Sequence, residues 1–247
     1  DHYAVQFEPI YKNGRAVSPV GPILPKWIDL DTFPYDAMDN TVAESIYAEG
    51  EKCKNSRPAC LYHLDRALVD VVLTHPEFDF EVLFNTAADA VAAGEQFLTY
   101  NDRNIADNNP IIKNAGDIAL SNGKVYWTLA NYLEIRDMPE EYEGYVNCFY
   151  VAGFQCVKCG RDQTDQEDPI YAMLTYYMGN FSEKMLARIS EETQGEFYDR
   201  IGEEALLYYE EAQMLLEQRP DIYLMENRMS RNIQSGINTL HELGFES

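Results

Sequence analysis

Apolar residues recur at steps of three and four along most of the chain. Leu61, Leu64, Leu68 and Val71 form one such stripe, and Ile201, Ala205, Tyr208, Ala212 and Leu215 form another. A third stripe runs through Ile222, Met225, Met229, Ile233, Ile237 and Leu240 and stops at Gly244. The spacing follows the α-helical turn, so each stripe predicts an amphipathic helix with one buried face, the last closed by a glycine C-cap. Period-two alternation is nearly absent, and Lys124 to Trp127 is too short to count as a strand. The pattern predicts an all-α fold of about eight to ten helices, arranged as a helical repeat or a bundle.

The first 36 residues read differently. Pro9, Pro19, Pro22, Pro25 and Pro34, with Gly14 and Gly21 among them, deny a helix its donors and predict an extended arm. Tyr3, Phe7, Ile10, Ile23, Leu24, Trp27 and Ile28 supply anchors that would hold the arm, residues 1–36, against a single helical domain, residues 37–247. Prolines also punctuate the body. Pro76, Pro139 and Pro220 are each followed by acids and an aromatic or apolar residue, as at a helix start, and Pro58, Pro110 and Pro169 are further candidate starts. The intervals of 63 and 81 residues between the first three are too uneven for a tidy repeat.

Charge narrows the partners. Nineteen basic against 42 acidic residues give a formal net charge of −23, which repels nucleic acid and anionic membranes and favours basic partners, cations or plain solubility. Tyrosine is abundant, with 18 copies, a residue that buries a large ring while keeping a hydroxyl bonded. No run of the sequence reaches the roughly 20 apolar residues a membrane-spanning helix needs.

Five cysteines fall in two groups. Cys53 and Cys60 flank Asn55-Ser56-Arg57-Pro58, a turn that a bridge would staple; Cys148, Cys156 and Cys159 form the second group. Cys156-x-x-Cys159 has zinc-ligand spacing, but it has neither a second such pair nor a nearby histidine, and its apolar helical context is not that of a redox pair. Disulfides in an oxidising compartment are the expectation, with one thiol left over. The start at Asp1-His2-Tyr3 and the sequon Asn180-Phe181-Ser182, a glycosylation candidate at a surface turn, fit a secreted chain whose signal peptide has been removed.

No catalytic, cofactor or metal signature is present. The sequence has no nucleophile elbow, Walker loop, dinucleotide fingerprint or paired-histidine zinc motif, and neither Asp29-Leu30-Asp31 nor Asp162 to Asp168 completes a calcium loop. The informative run is Tyr171 to Phe181, in which aromatics precede Gly179-Asn180-Phe181. In tetratricopeptide-like hairpins such a run ends one helix at a turn before the next begins. This run resembles the tetratricopeptide-like helices of the leprecan and cartilage-associated protein family. Leu215 to Asp221 with Met225-Glu226-Asn227 is similar to that family's Leu-rich helix end, proline, acid, Met and Asn, and Phe97-Leu98 with Asn101 echoes it. The resemblance covers about a third of the chain, with Ser190 to Glu204 reading as an insertion between the matched pieces. It implies a scaffold of the secretory pathway.

The functional expectation is a non-catalytic helical-repeat module that binds a basic or extended polypeptide. Its surface would carry Tyr171, Tyr176, Tyr177, Phe181, Tyr208 and Tyr209. One rival is an α-helical enzyme or small-ligand protein with a carboxylate and tyrosine pocket. Another is an acidic inhibitor of a basic partner.

Overall fold

The computed structural model describes residues 10–12, 15–17, 57–74, 79–106, 115–136, 142–189, 191–219 and 223–246. Among them are seven helices: α1 (Arg57–Thr74), α2 (Phe80–Ala106), α3 (Ala115–Ile135), α4 (Glu143–Asp162), α5 (Pro169–Leu186), α6 (Glu191–Glu217) and α7 (Tyr223–Glu242). Within these residues single helices run through places read as breaks. Gly179-Asn180-Phe181 lies inside α5, and the presumed insertion after Ser190 is the first half of α6.

Local chemistry sets the ends. Pro58 and Pro169 sit in the first turns of α1 and α5, where a missing N–H costs nothing. Asp168 caps α5 by accepting a hydrogen bond from Ile170 N at 3.0 Å. At the end of α7, Gly244 has φ +93°, with Phe245 N donating to Leu240 O (3.1 Å) and Gly244 N to His241 O (3.0 Å). Those two bonds make a Schellman close, as the stripe ending at Gly244 predicted. Pro76, Pro110, Pro139 and Pro220 lie outside the described residues.

Each helix packs on its sequence neighbours, most closely within the pairs α1–α2, α3–α4 and α5–α6. The odd-numbered helices also touch in order, α1 on α3, α3 on α5 and α5 on α7. They begin at residues 57, 115, 169 and 223, which lie 58, 54 and 54 residues apart. The interval is thus far more even than the prolines suggested. Helices α3 and α5 are apolar on most of their circumference and run through the middle, while α2, α4 and α6 cover them.

Two apolar clusters result. One joins Leu61, Leu64 and Leu68 of α1 to Phe97, Leu129, Tyr150 and Phe181. The other joins Ala172 and Tyr176 of α5 to Ile201, Ala205, Tyr209, Ile233, Ile237 and Leu240. Ion pairs bind them from outside. Arg161 of α4 donates to both Glu211 oxygens of α6 at 2.7 Å, and Glu134 of α3 meets Lys184 and Arg188 at 3.1 Å. Burial alone would raise the Glu134 carboxyl, but hydrogen bonds from Tyr150 and Lys184 and the charges of Lys184 and Arg188 hold it below its ordinary range.

Within the proline-rich segment, β1 (Ile10–Lys12) and β2 (Arg15–Val17) pair antiparallel in the register Ile10 with Val17 and Lys12 with Arg15. Asn13-Gly14 between two short apolar runs is a hairpin signal. The packing of the arm on the body lies outside the described residues.

Candidate functional site

The site begins with an acid in an apolar stripe. Asp65 follows Leu64 on the inner face of α1 and is completely buried. Opposite it, α2 carries Gly94. A Cβ there would lie 2.9 Å from Asp65 Oδ1, 2.8 Å from Asn122 Nδ2 and 2.9 Å from Ile118 Cγ2. The bare backbone at Gly94 is what lets the Asp65 side chain from α1 and the Asn122 side chain from α3 meet over α2. Neither Asp65 oxygen, nor Asn122 Oδ1, has a hydrogen-bond partner. Burial pushes the Asp65 carboxyl well above the usual carboxylate range, against a smaller opposing pull from Arg66.

Asn122 also lines a half-open cavity of about 260 Å³ between α2, α3 and α4. Val91, Leu98, Ala119, Tyr126 and Ala152 make its walls mostly apolar. Its polar rim is Glu95, Gln155, Gln163, Cys156 and Cys159. Burial raises the Glu95 carboxyl. No lysine, arginine or histidine is among the described residues that line the cavity. Its size falls just below that of most small-molecule pockets, typically about 300–1,000 Å³.

The cysteines of α4 are free thiols, so the bridge expected within Cys148, Cys156 and Cys159 is not formed. They share one helix but not one environment. Cys148 is buried, Cys156 donates to Ala119 O at 3.5 Å across the α3–α4 contact, and Cys159 faces solvent. Burial, with the negative charges of Glu95, Cys159 and Asp65, pushes the Cys156 thiol up to about 12, and burial pushes Cys148 up to about 11. Neither offers a thiolate at neutral pH. Among the described residues no three His, Cys, Asp or Glu side chains converge on a metal-sized site. Cys53 and the Cys60 side chain lie outside what is described.

The aromatic surface expected from the sequence is core instead. Tyr171, Tyr176, Phe181 and Tyr209 are buried, and Tyr177 and Tyr208 are half-buried against the clusters. A tyrosine can do this because its hydroxyl finds partners inside. Tyr209 Oη donates to Glu183 and lies 2.8 Å from Asn180 Oδ1, and Tyr176 Oη accepts from Asn232 at 3.1 Å. Asn180 is therefore half-buried within a helix rather than at a surface turn, and Ser182 of its sequon is buried. A separate exposed feature lies on α6, where Leu207 and Met214, 58% and 50% exposed, stand one above the other between Glu203 and Glu217.

Sequence reasoning missed Asp65, Gly94, Glu95 and Asn122. Asp65 carried a readable signal, an acid inside the stripe from Leu61 to Val71. Gly94 carried another, a glycine within the alanine-rich run Ala87 to Ala93. No helix of the described residues is long and apolar enough to cross a membrane. Comparison with family models, with curated proteins and with solved structures found no match to this chain.

Proposed function

We propose that the chain is a non-catalytic helical-repeat binding protein that takes a small, largely apolar ligand in the cavity between α2, α3 and α4. The observation that carries this reading is the cavity itself, half-open to solvent, with a largely apolar surface and polar side chains among its lining residues. The order of packing supports the repeat: three closely packed helix pairs, odd helices in contact and helix starts at near-regular intervals. Helix α7 packs on α6 and α5 beyond the third pair. Its outward face is polar and its inner face is Ile233, Ile237 and Leu240. Ligand-observed NMR with indole, a neutral ring of suitable size, should show saturable binding. Ala152→Leu, which fills the cavity from its wall, should abolish it, while Leu207→Ala on α6 should not. Unchanged indole binding in a folded Ala152→Leu variant would refute the reading.

A second reading, capture of a polypeptide, keeps one specific support. Leu207 and Met214 are exposed on an acidic helix, and that pattern suits a basic amphipathic segment. It no longer rests on the tyrosines, which are interior. A setting in the secretory pathway belongs to this proposal through the pair Cys53 and Cys60.

A further inference from the structure

Acids outnumber bases by more than two to one in this chain, so a base with no acid beside it is the exception. Lys158, Arg161, Lys184 and Arg188 each meet a carboxylate. Among the described residues, Arg66, Lys124 and Arg228 form no ion pair. Arg66 and Arg228 are exposed, and Lys124 is half-buried. All three lie along one row that crosses the odd-numbered helices. Arg66 of α1 donates to Ser121 Oγ of α3 at 3.1 Å, and Lys124 stands one turn further along α3. Lys124 Nζ lies 6.0 Å from the centre of the Tyr177 ring on α5. Tyr176, the residue before it, accepts from Asn232 of α7, one turn beyond Arg228. Trp127 meets Tyr177 edge-on, with ring centres 6.5 Å apart, and the two half-buried rings form an aromatic floor. Burial and the charge of Arg66 lower the Lys124 ammonium, against a smaller opposing pull from Asp117. Holding a half-buried ammonium near a second cation costs stability, and an anionic partner would offset that cost. None of these residues lines the cavity, so the row is a separate surface.

We propose that the face built by α1, α3, α5 and α7 binds an extended acidic peptide, with carboxylates on Arg66, Lys124 and Arg228 and an apolar ring on Tyr177 and Trp127. The packing sets the spacing of that peptide. Neighbouring helices stand about 8–10 Å apart. A polyproline-type extended chain rises about 3.1 Å per residue and returns a side chain to the same side every third residue, about 9 Å further on. One peptide position in three therefore falls on each odd helix in turn: an acid over α1, an acid over α3, a ring over α5 and an acid over α7. The inference goes beyond the cavity reading and does not depend on it.

Calorimetric titration of the full chain with the peptide Glu-Pro-Pro-Glu-Pro-Pro-Phe-Pro-Pro-Glu tests it. Physiological salt suits the measurement, because screening beyond about 8 Å suppresses the long-range repulsion from the net charge of −23. The peptide should bind saturably, and its counterpart with Lys at each Glu should not. Arg66→Glu and Arg228→Glu, both at exposed positions, should each weaken binding about tenfold, through one lost pair and one new repulsion. Ala152→Leu, in the cavity wall, should leave the peptide affinity unchanged. Absence of binding, equal binding of the Lys peptide, or full affinity in both charge-reversed variants would each overturn the inference. The indole experiment judges the cavity separately, so the two readings fail independently.

Discussion

At the α5–α6–α7 end of the molecule every close approach is filled by a ring, whereas at the α1–α2–α3 junction the same device admits polar groups. Tyr209 of α6 is wedged between α5 and α7. A Cβ on Gly179 would lie 2.8 Å from its Cδ1, and one on Gly236 would lie 2.4 Å from its Cε2. Its hydroxyl is bonded to Glu183 and Asn180. At the other junction Gly94 makes comparable room, but Asp65 and Asn122 enter it with oxygens unbonded, and a cavity opens alongside. One junction is built for stability. The other leaves buried polar atoms unpartnered beside the cavity in which we propose that a ligand binds, a trade of stability for function.

The contrast breaks most severely at Tyr209. Tyr209→Ala should cost about 3–5 kcal/mol in urea unfolding, the range for emptying a core aromatic site. Gly236→Ala should cost about 1–3 kcal/mol despite the better helix propensity of alanine, because the new methyl meets the Tyr209 ring with no room to yield. If Gly236→Ala were stabilising, the ring would not be wedged there.

Asp65→Asn should act in the opposite direction. A carboxyl raised on folding binds more protons folded than unfolded, so its contribution to stability is intact at low pH. It is then lost as pH climbs from the ordinary carboxylate range, about pH 4, through the raised value. Wild type should lose stability relative to Asp65→Asn over that climb, reaching a deficit of about 1–3 kcal/mol, the scale of an unsatisfied buried polar group. Parallel stability-versus-pH curves for the two proteins would contradict a buried unpartnered acid.

The smallest effect concerns the rim of the cavity. Cys159 should react fastest with iodoacetamide in the native protein, half-buried Cys156 more slowly and buried Cys148 only on unfolding, as their exposure and the raised thiols of the last two require. Peptide mass spectrometry of the alkylated chain reads all three, and also shows whether Cys53 and Cys60 are bridged.

What was readable from the sequence was local. The stripes of α1, α6 and α7 follow helical spacing, and the Gly244 close depends on residues a turn away. Gly179 was misread as a turn because its reason is Tyr209, 30 residues further on, and no local rule carries that contact. The tyrosines were misplaced on the surface because their hydroxyls find partners on other helices, Tyr176 with Asn232 and Tyr209 with Glu183. The cavity was invisible for the same reason, since its walls come from three helices. Asp65 and Gly94 carried local signals, an acid within an apolar stripe and a glycine beside an alanine-rich run.

The most direct test of the difference between the two junctions is an amide chemical-shift map of the full chain titrated with indole. The account predicts saturable shifts confined to residues around Val91–Leu98, Ala115–Tyr126 and Ala152–Gln163, with the neighbourhood of Tyr209 and Ile237 unmoved. Shifts centred on α6 and α7, with the cavity walls silent, would contradict it.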